Sequence, residues 1–87
     1  MADEVEKQSD QVGSRAAAVT QSIDSLKREQ AAQGYGLRGD IASSEERMNT
    51  YYAKAQDAMK RQDPKSAKKY LDLAQGELEK LEKFLGH

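Results

Sequence analysis

Apolar residues recur at alternating spacings of four and three along most of the chain, and this spacing is the feature that most limits its fold. The first third carries two interleaved series, Val5, Val12, Val19, Leu26 and Ser9, Ala16, Ile23, Gln30. Such a pattern is typical of an α-helix with one narrow apolar stripe. It predicts a long first helix over residues 3–33, in which we expect residues 1–10 to be frayed.

Two short segments interrupt the pattern. A glycine-rich stretch over residues 34–39 predicts a chain reversal, in which Gly34 takes a left-handed conformation. Gly39-Asp40 offers a cap for the next helix, and Ser43 with Glu46 offers a capping box one turn later, so the start of that helix is open by several residues. The second break is a tight turn over residues 62–64. Proline fits the first turn of a helix and disfavours α conformation in the residue before it, so Pro64 opens a helix that Asp63 caps. The predicted second and third helices are residues 40–62 and 64–85.

Both later helices carry the same kind of stripe as the first. In the second helix the stripe contains Leu37, Ile41, Ser44, Met48, Tyr51, Ala55 and Ala58, and in the third Ala67, Leu71, Ala74, Leu78, Leu81 and Leu85. Three single-striped helices with short connections bury their stripes most simply against one another. The sequence therefore predicts an all-α fold, a three-helix up-down-up antiparallel bundle, with residues 1–87 forming one domain.

The charge distribution favours the same topology. The start of the first helix is acidic, with Asp3, Glu4, Glu6 and Asp10, whereas the turn between the second and third helices is basic, with Lys60, Arg61, Lys65, Lys68 and Lys69. In an up-down-up bundle these two regions are neighbours, so we expect the opposite charges to disfavour the inverted arrangement.

The composition argues against catalysis and metal binding. The 87 residues contain no cysteine and a single histidine, the terminal His87, which no surrounding structure could orient as a catalytic group or ligand. No serine has a nearby base, and the glycines do not form a phosphate-binding loop. We expect a protein that is not an enzyme and that uses no cofactor, metal or small-molecule substrate. The sequence shows no signal peptide or membrane-spanning segment, so we expect solubility, and the compartment is left open.

Tyrosines are the candidate anchors of a protein partner. Tyr51 and Tyr70 fall on or beside the apolar stripes, which indicates core packing. Tyr35 and Tyr52 fall outside them and form the candidate partner surface, although single exposed aromatic residues are also common without function. The tripeptide Arg38-Gly39-Asp40 matches an integrin-binding motif, but its structural role in the reversal is the better explanation.

Two other functions compete with a partner-binding role. The first helix could pair with another copy of the chain through a seam of Val5, Val12, Val19 and Leu26, as in a coiled-coil oligomerisation element. The basic turn, with Lys60, Arg61, Lys65, Lys68 and Lys69, could bind an anion or nucleic acid. Nucleic acid is disfavoured, because the formal net charge is −1 and Asp63 interrupts the basic run.

Residues 48–80 resemble a single tetratricopeptide-type helical hairpin. The resemblance lies in Ala55, in Asp63-Pro64-Lys65-Ser66-Ala67, and in Leu71 and Ala74. It implies that small side chains allow the two helices to approach closely. Gln62 stands where that motif favours glycine, Pro64 where it favours an aromatic residue, and there is no second copy. The segment from Ala74 to Gly86 is similar to C-terminal accessory helical domains of uncharacterised bacterial multi-domain or membrane-anchored proteins, which implies a module of a larger protein.

Overall fold

A computed structural model describes residues 2–34, 36 and 38–86 of the chain. The described residues form three helices, α1 (Ala2–Ala32), α2 (Gly39–Lys60) and α3 (Pro64–Leu85), and no strand. The predicted all-α three-helix bundle is confirmed, and each predicted helix boundary lies within two residues of the observed one.

Side-chain contacts give the directions of the helices. Ser9 bonds to Gln56 and Lys27 to Glu45, so α1 and α2 run antiparallel. Between α1 and α3 the residue numbers rise together: Gln8 bonds to Asp72, and Arg15 bonds to Glu82. The bundle is therefore up-down-up. It measures 47 × 19 × 16 Å, so α1, about 45 Å long at 1.5 Å per residue, extends over nearly its full length.

The core consists of one apolar stripe from each helix. Its members are Val5, Val12, Val19, Ile23, Ile41, Met48, Ala55, Ala58, Ala67, Leu71, Ala74, Leu78 and Leu81. The four alanines lie on α2 and α3, the two helices that pack most closely, and all four are completely buried. Small side chains at a helix contact shorten the distance between the axes, which explains the tight α2–α3 pairing.

The turn between α2 and α3 forms as the sequence predicts at Asp63 and Pro64. The carboxylate of Asp63 accepts a hydrogen bond from the backbone N–H of Ser66 at 3.2 Å, and Pro64 begins α3. This contact to Ser66 lowers the pKa of Asp63. The helix before the turn ends two residues earlier than predicted, at Lys60, because Gln62 has a left-handed backbone with φ of 59°.

The N–H groups that follow α2 bond back to its last turn. Gln62 donates to the carbonyl of Met59 at 3.0 Å, and Asp63 donates to the carbonyl of Ala58 at 2.9 Å. This pair of hydrogen bonds is the Schellman arrangement, in which the left-handed residue is usually glycine. Gln62 occupies that position here.

The reversal between α1 and α2 agrees with the sequence only in part. Gly34 has the expected left-handed conformation, with φ of 83°. The prediction that Gly39-Asp40 caps α2 is wrong: Arg38 occupies the N-cap position, without a side-chain capping bond. The Asp40 carboxylate instead accepts two hydrogen bonds from the Arg38 guanidinium, at 3.1 and 2.7 Å, and these lower the pKa of Asp40.

The start of α1 lies beside the α2–α3 turn, as the charge pattern predicts, since Ala2, Val5, Met59 and Pro64 line one cleft. Between the described residues, no ion pair joins the acidic start of α1 to the basic turn. Within the described residues, the cations of the turn that form ion pairs bond to an aspartate four residues away, Arg61 to Asp57 and Lys68 to Asp72. The helical backbone begins at Ala2, and fraying of residues 1–10 stays a prediction.

Candidate functional site

The first helix covers one side of the α2–α3 pair. On α2 it contacts Gln56, whose amide donates to the Ser9 hydroxyl at 2.7 Å. On α3 it contacts Asp72, which accepts a hydrogen bond from Gln8 at 2.8 Å, and Glu82. These residues define the side of α2 and α3 that α1 occupies. Within the part of the chain that the structure describes, no helix covers the opposite side.

The uncovered side, here termed the α2–α3 face, carries basic and aromatic side chains. It consists of Arg47, Tyr51 and Lys54 on α2 and Lys69, Tyr70, Leu73, Lys80 and Phe84 on α3. Residues spaced by three and four lie on one side of a helix, which aligns each set along its axis. One cation joins the two helices directly, since the Lys54 ammonium lies 5.6 Å from the centroid of the Tyr70 ring.

The centre of the α2–α3 face combines an apolar patch with cations. Leu73 is 41 % exposed, and no other large apolar residue in the described part of the chain is exposed to this extent. One turn earlier, the ring of the half-buried Tyr70 has two ammonium groups near it, that of Lys54 and that of Lys69, the latter 5.8 Å from the ring centroid. Tyr70 itself packs against the core, which holds its ring in place.

A buried carboxylate fixes the position of Arg47 on this face. Glu77 is only 9 % exposed, and its carboxylate accepts hydrogen bonds from the Arg47 guanidinium at 3.0 and 3.3 Å. The Ser44 hydroxyl donates to the same carboxylate at 2.7 Å, and the Lys80 ammonium lies 3.6 Å away. The hydrogen bond from Arg47, assisted by Ser44, lowers the pKa of Glu77 although burial opposes this shift. Glu77 is therefore a fixed negative charge beneath a positive surface.

Tyr52, one of the two predicted partner anchors, is in a different place from the one expected. It is half-buried between α1 and α2, where its hydroxyl donates to the Ser9 carbonyl at 3.5 Å and its ring packs against the core. The prediction that Tyr52 is exposed is wrong because Gly13, which lacks a side chain, leaves room for the tyrosine on α1. Tyr35 lies outside the described residues, as does His87.

The predicted oligomer seam lies mainly inside the chain's own core. Val5, Val12 and Val19 are each at most 2 % exposed, whereas Leu26 is half-buried. The three valines already have partners on α2 and α3. Pairing of α1 with another copy through this seam would require α1 to leave the bundle, and self-association stays a prediction.

The predicted anion patch on the α2–α3 turn is partly neutralised. Arg61, directly after α2, bonds to Asp57 and Lys68 bonds to Asp72, and Lys69 belongs to the α2–α3 face. Lys60 and Lys65 are exposed. Two of the five cations are therefore already paired with aspartates of the chain.

The described residues offer little for other chemistry. They contain no cluster of three or more side chains able to hold a metal ion. In the same residues, no helix has both the length and the apolar composition that crossing a bilayer requires. Glu82 accepts a hydrogen bond from Arg15 at 3.0 Å and so ties α1 to α3.

Sequence reasoning missed Leu73 and Glu77. Leu73 lies off the apolar stripe of α3, so it could have been recognised as an apolar side chain on a polar side of the helix. Glu77 lies seven residues after Tyr70 and three after Ala74, a spacing that places a charged residue at the edge of the apolar stripe. Charged side chains in such a position are almost never buried unpaired, which predicts a cation opposite it.

Comparison of the chain with protein-family models, with curated proteins and with solved structures found no match. The resemblance of residues 48–80 to a tetratricopeptide-type hairpin, and that of the C-terminal segment to bacterial accessory domains, therefore stay predictions.

Proposed function

We propose that the chain is a non-enzymatic helical module that binds a protein partner through the α2–α3 face. One observation carries this proposal: Leu73, which is 41 % exposed, lies beside the fixed ring of Tyr70 and among the cations of the face. Partner surfaces combine apolar and aromatic contact area with arginine and a charged rim, and the α2–α3 face has each of these components.

The packing of the bundle supports the choice of this face. The uncovered side contains Arg47, held by Glu77, and Tyr70, held by the core, so two large side chains are ordered before any partner binds. Ordering in advance reduces the conformational entropy that binding would otherwise cost. A partner segment that lies along the groove between α2 and α3 would contact both Arg47 and Tyr70.

A selection of random peptides displayed on phage, with the immobilised full chain as bait, tests this proposal. We expect the enriched peptides to lose binding when Leu73 is changed to aspartate. The matched control is Ala18→Asp, because Ala18 is also exposed on a helix but belongs to α1. Equal binding to both variants, or a selection that enriches no peptide, would overturn the proposed function. Circular dichroism of each variant checks that the helices are retained.

A further inference from the structure

Four cations gather at one end of the α2–α3 face, where the start of α2 meets the end of α3. They surround a shallow groove lined by Arg38, Asp40, Ile41, Ser44, Arg47, Lys80, Lys83 and Phe84. The Arg38 guanidinium lies 5.7 Å from the centroid of the Phe84 ring, so a cation and an aromatic surface adjoin in the groove.

The carboxylates in and beneath the groove neutralise only part of this positive charge. Arg38 bonds to Asp40 with a shortest distance of 2.7 Å, and Arg47 and Lys80 share Glu77. Lys83 forms no ion pair with any described residue. Counted over the described residues, four cations against two carboxylates leave two positive charges in excess.

The two arginines and the two lysines have different roles. Arg38 and Arg47 each donate two hydrogen bonds to a carboxylate of the chain itself, which holds the guanidinium groups in place. Lys80 and Lys83 are exposed and carry the donors that remain for a ligand. An ammonium group has three N–H donors, so Lys80 can contact Glu77 and still donate outward.

We propose that this groove binds the carboxylates of an acidic protein segment, with Lys80 and Lys83 donating to them and Phe84 packing against an adjacent apolar side chain. This inference rests on the proposed function, because the groove is one end of the α2–α3 face. The excess charge selects a negatively charged ligand. The Asp40 carboxylate on the rim would repel the continuous phosphates of a nucleic acid, whereas a peptide can present isolated carboxylates between apolar residues.

Fluorescence anisotropy tests the proposal with the full chain and a labelled peptide rich in glutamate that carries one phenylalanine. A second peptide, with glutamine in place of every glutamate, is the ligand control. The variant is Lys80→Gln/Lys83→Gln. The matched control is Lys60→Gln/Lys65→Gln, which removes the same two charges at the opposite end of the bundle, also from exposed lysines. We expect the first variant to weaken binding about tenfold and the second to change it less than about twofold.

The remaining outcomes separate this inference from the proposed function. Equal weakening by both double variants would overturn the inference, since it would mean that the peptide responds only to net charge. Equal affinity for the glutamate and glutamine peptides would overturn the inference as well. In that case, a peptide from the phage selection whose binding depends on Leu73 would still support the proposed function. Tighter binding of single-stranded DNA than of the acidic peptide, lost in Lys80→Gln/Lys83→Gln, would replace the protein segment by a nucleic acid.

Discussion

The hydroxyl oxygen of Tyr52 occupies the space where a side chain on Gly13 would begin: a Cβ atom placed on Gly13 would lie 2.6 Å from it. Glycine inside a helix normally lowers stability by about 1 kcal/mol relative to alanine. At Gly13 the missing side chain also serves the packing of α2 against α1, because it lets the Tyr52 hydroxyl reach the Ser9 carbonyl.

This contact predicts that the effect of Gly13→Ala depends on Tyr52. In the native chain the added methyl group would clash with the hydroxyl, so we expect the free energy of unfolding to fall by about 1 kcal/mol. In a Tyr52→Phe background the nearest ring atom is 3.3 Å from the added Cβ atom. There we expect Gly13→Ala to raise the free energy of unfolding by about 0.5 kcal/mol, because helix propensity then dominates. Denaturant unfolding of the four chains gives the coupling energy.

Gly76 provides the control for this cycle. It lies on the exposed side of α3, and a Cβ atom added to it would have no atom within 4 Å outside its own helical backbone and chain neighbours. Gly76→Ala should therefore raise the free energy of unfolding by about 1 kcal/mol in either background. If Gly13→Ala behaved as Gly76→Ala does in the native chain, the close approach of Tyr52 would not be the reason for the glycine.

The fold could be predicted from the sequence because its determinants are local and periodic. The stripes define the helices, and Asp63-Pro64 defines a turn whose cap forms as expected. The start of α2 could not be predicted, since the sequence offers caps at Gly39-Asp40 and at Ser43, whereas the N-cap position is occupied by Arg38, whose guanidinium bonds to Asp40.

The candidate site could be predicted less well, because it depends on which side of each helix the neighbouring helices cover. Tyr52 and Leu73 illustrate this difficulty. Tyr52 falls outside the stripe of α2, yet Gly13 on another helix makes room for it. Leu73 becomes informative only when α1 is seen to pack on the other side of α3.

The left-handed backbone of Gln62 predicts a stabilising substitution. A residue with a side chain in this conformation is strained by about 1–2 kcal/mol, whereas glycine adopts it freely but loses more entropy on folding. We therefore expect Gln62→Gly to raise the free energy of unfolding by about 0.5–1 kcal/mol. Gln62→Ala, which removes the side chain but keeps the strain, should give no such gain in the same urea titration. Equal effects of the two changes would contradict this explanation.

The buried Glu77 predicts a dependence of stability on pH. Arg47 and Ser44 lower its pKa in the folded chain, so the folded state holds this proton less tightly than the unfolded state does. The stabilisation from Glu77 is therefore complete above the ordinary glutamate pKa of about 4.3 and is lost as the pH falls through the lowered value. At neutral pH we expect Glu77→Gln to cost about 1–2 kcal/mol, because the hydrogen bonds lose their charge.

Unfolding of Glu77→Gln and the native chain across a pH series checks this prediction. The difference between them should shrink as the solution becomes acidic. Glu79→Gln, an exposed change of the same charge on the same helix, should show little difference at any pH. A difference between Glu77→Gln and the native chain that stayed constant into the acidic range would show that Glu77 is not a paired carboxylate.

A substitution at Val19 distinguishes a role of this residue in the core from a role in self-association. It is 1 % exposed within a single chain, so Val19→Asp should place an unpaired charge in the core and abolish cooperative folding. The exposed neighbour Ala18 is the control, because Ala18→Asp adds the same charge without entering the core. Circular dichroism reports folding, and light scattering coupled to size exclusion, over a wide range of concentrations, reports the oligomeric state. A Val19→Asp chain that kept its helices and only lost a dimer would instead assign the valine seam to an interface between copies.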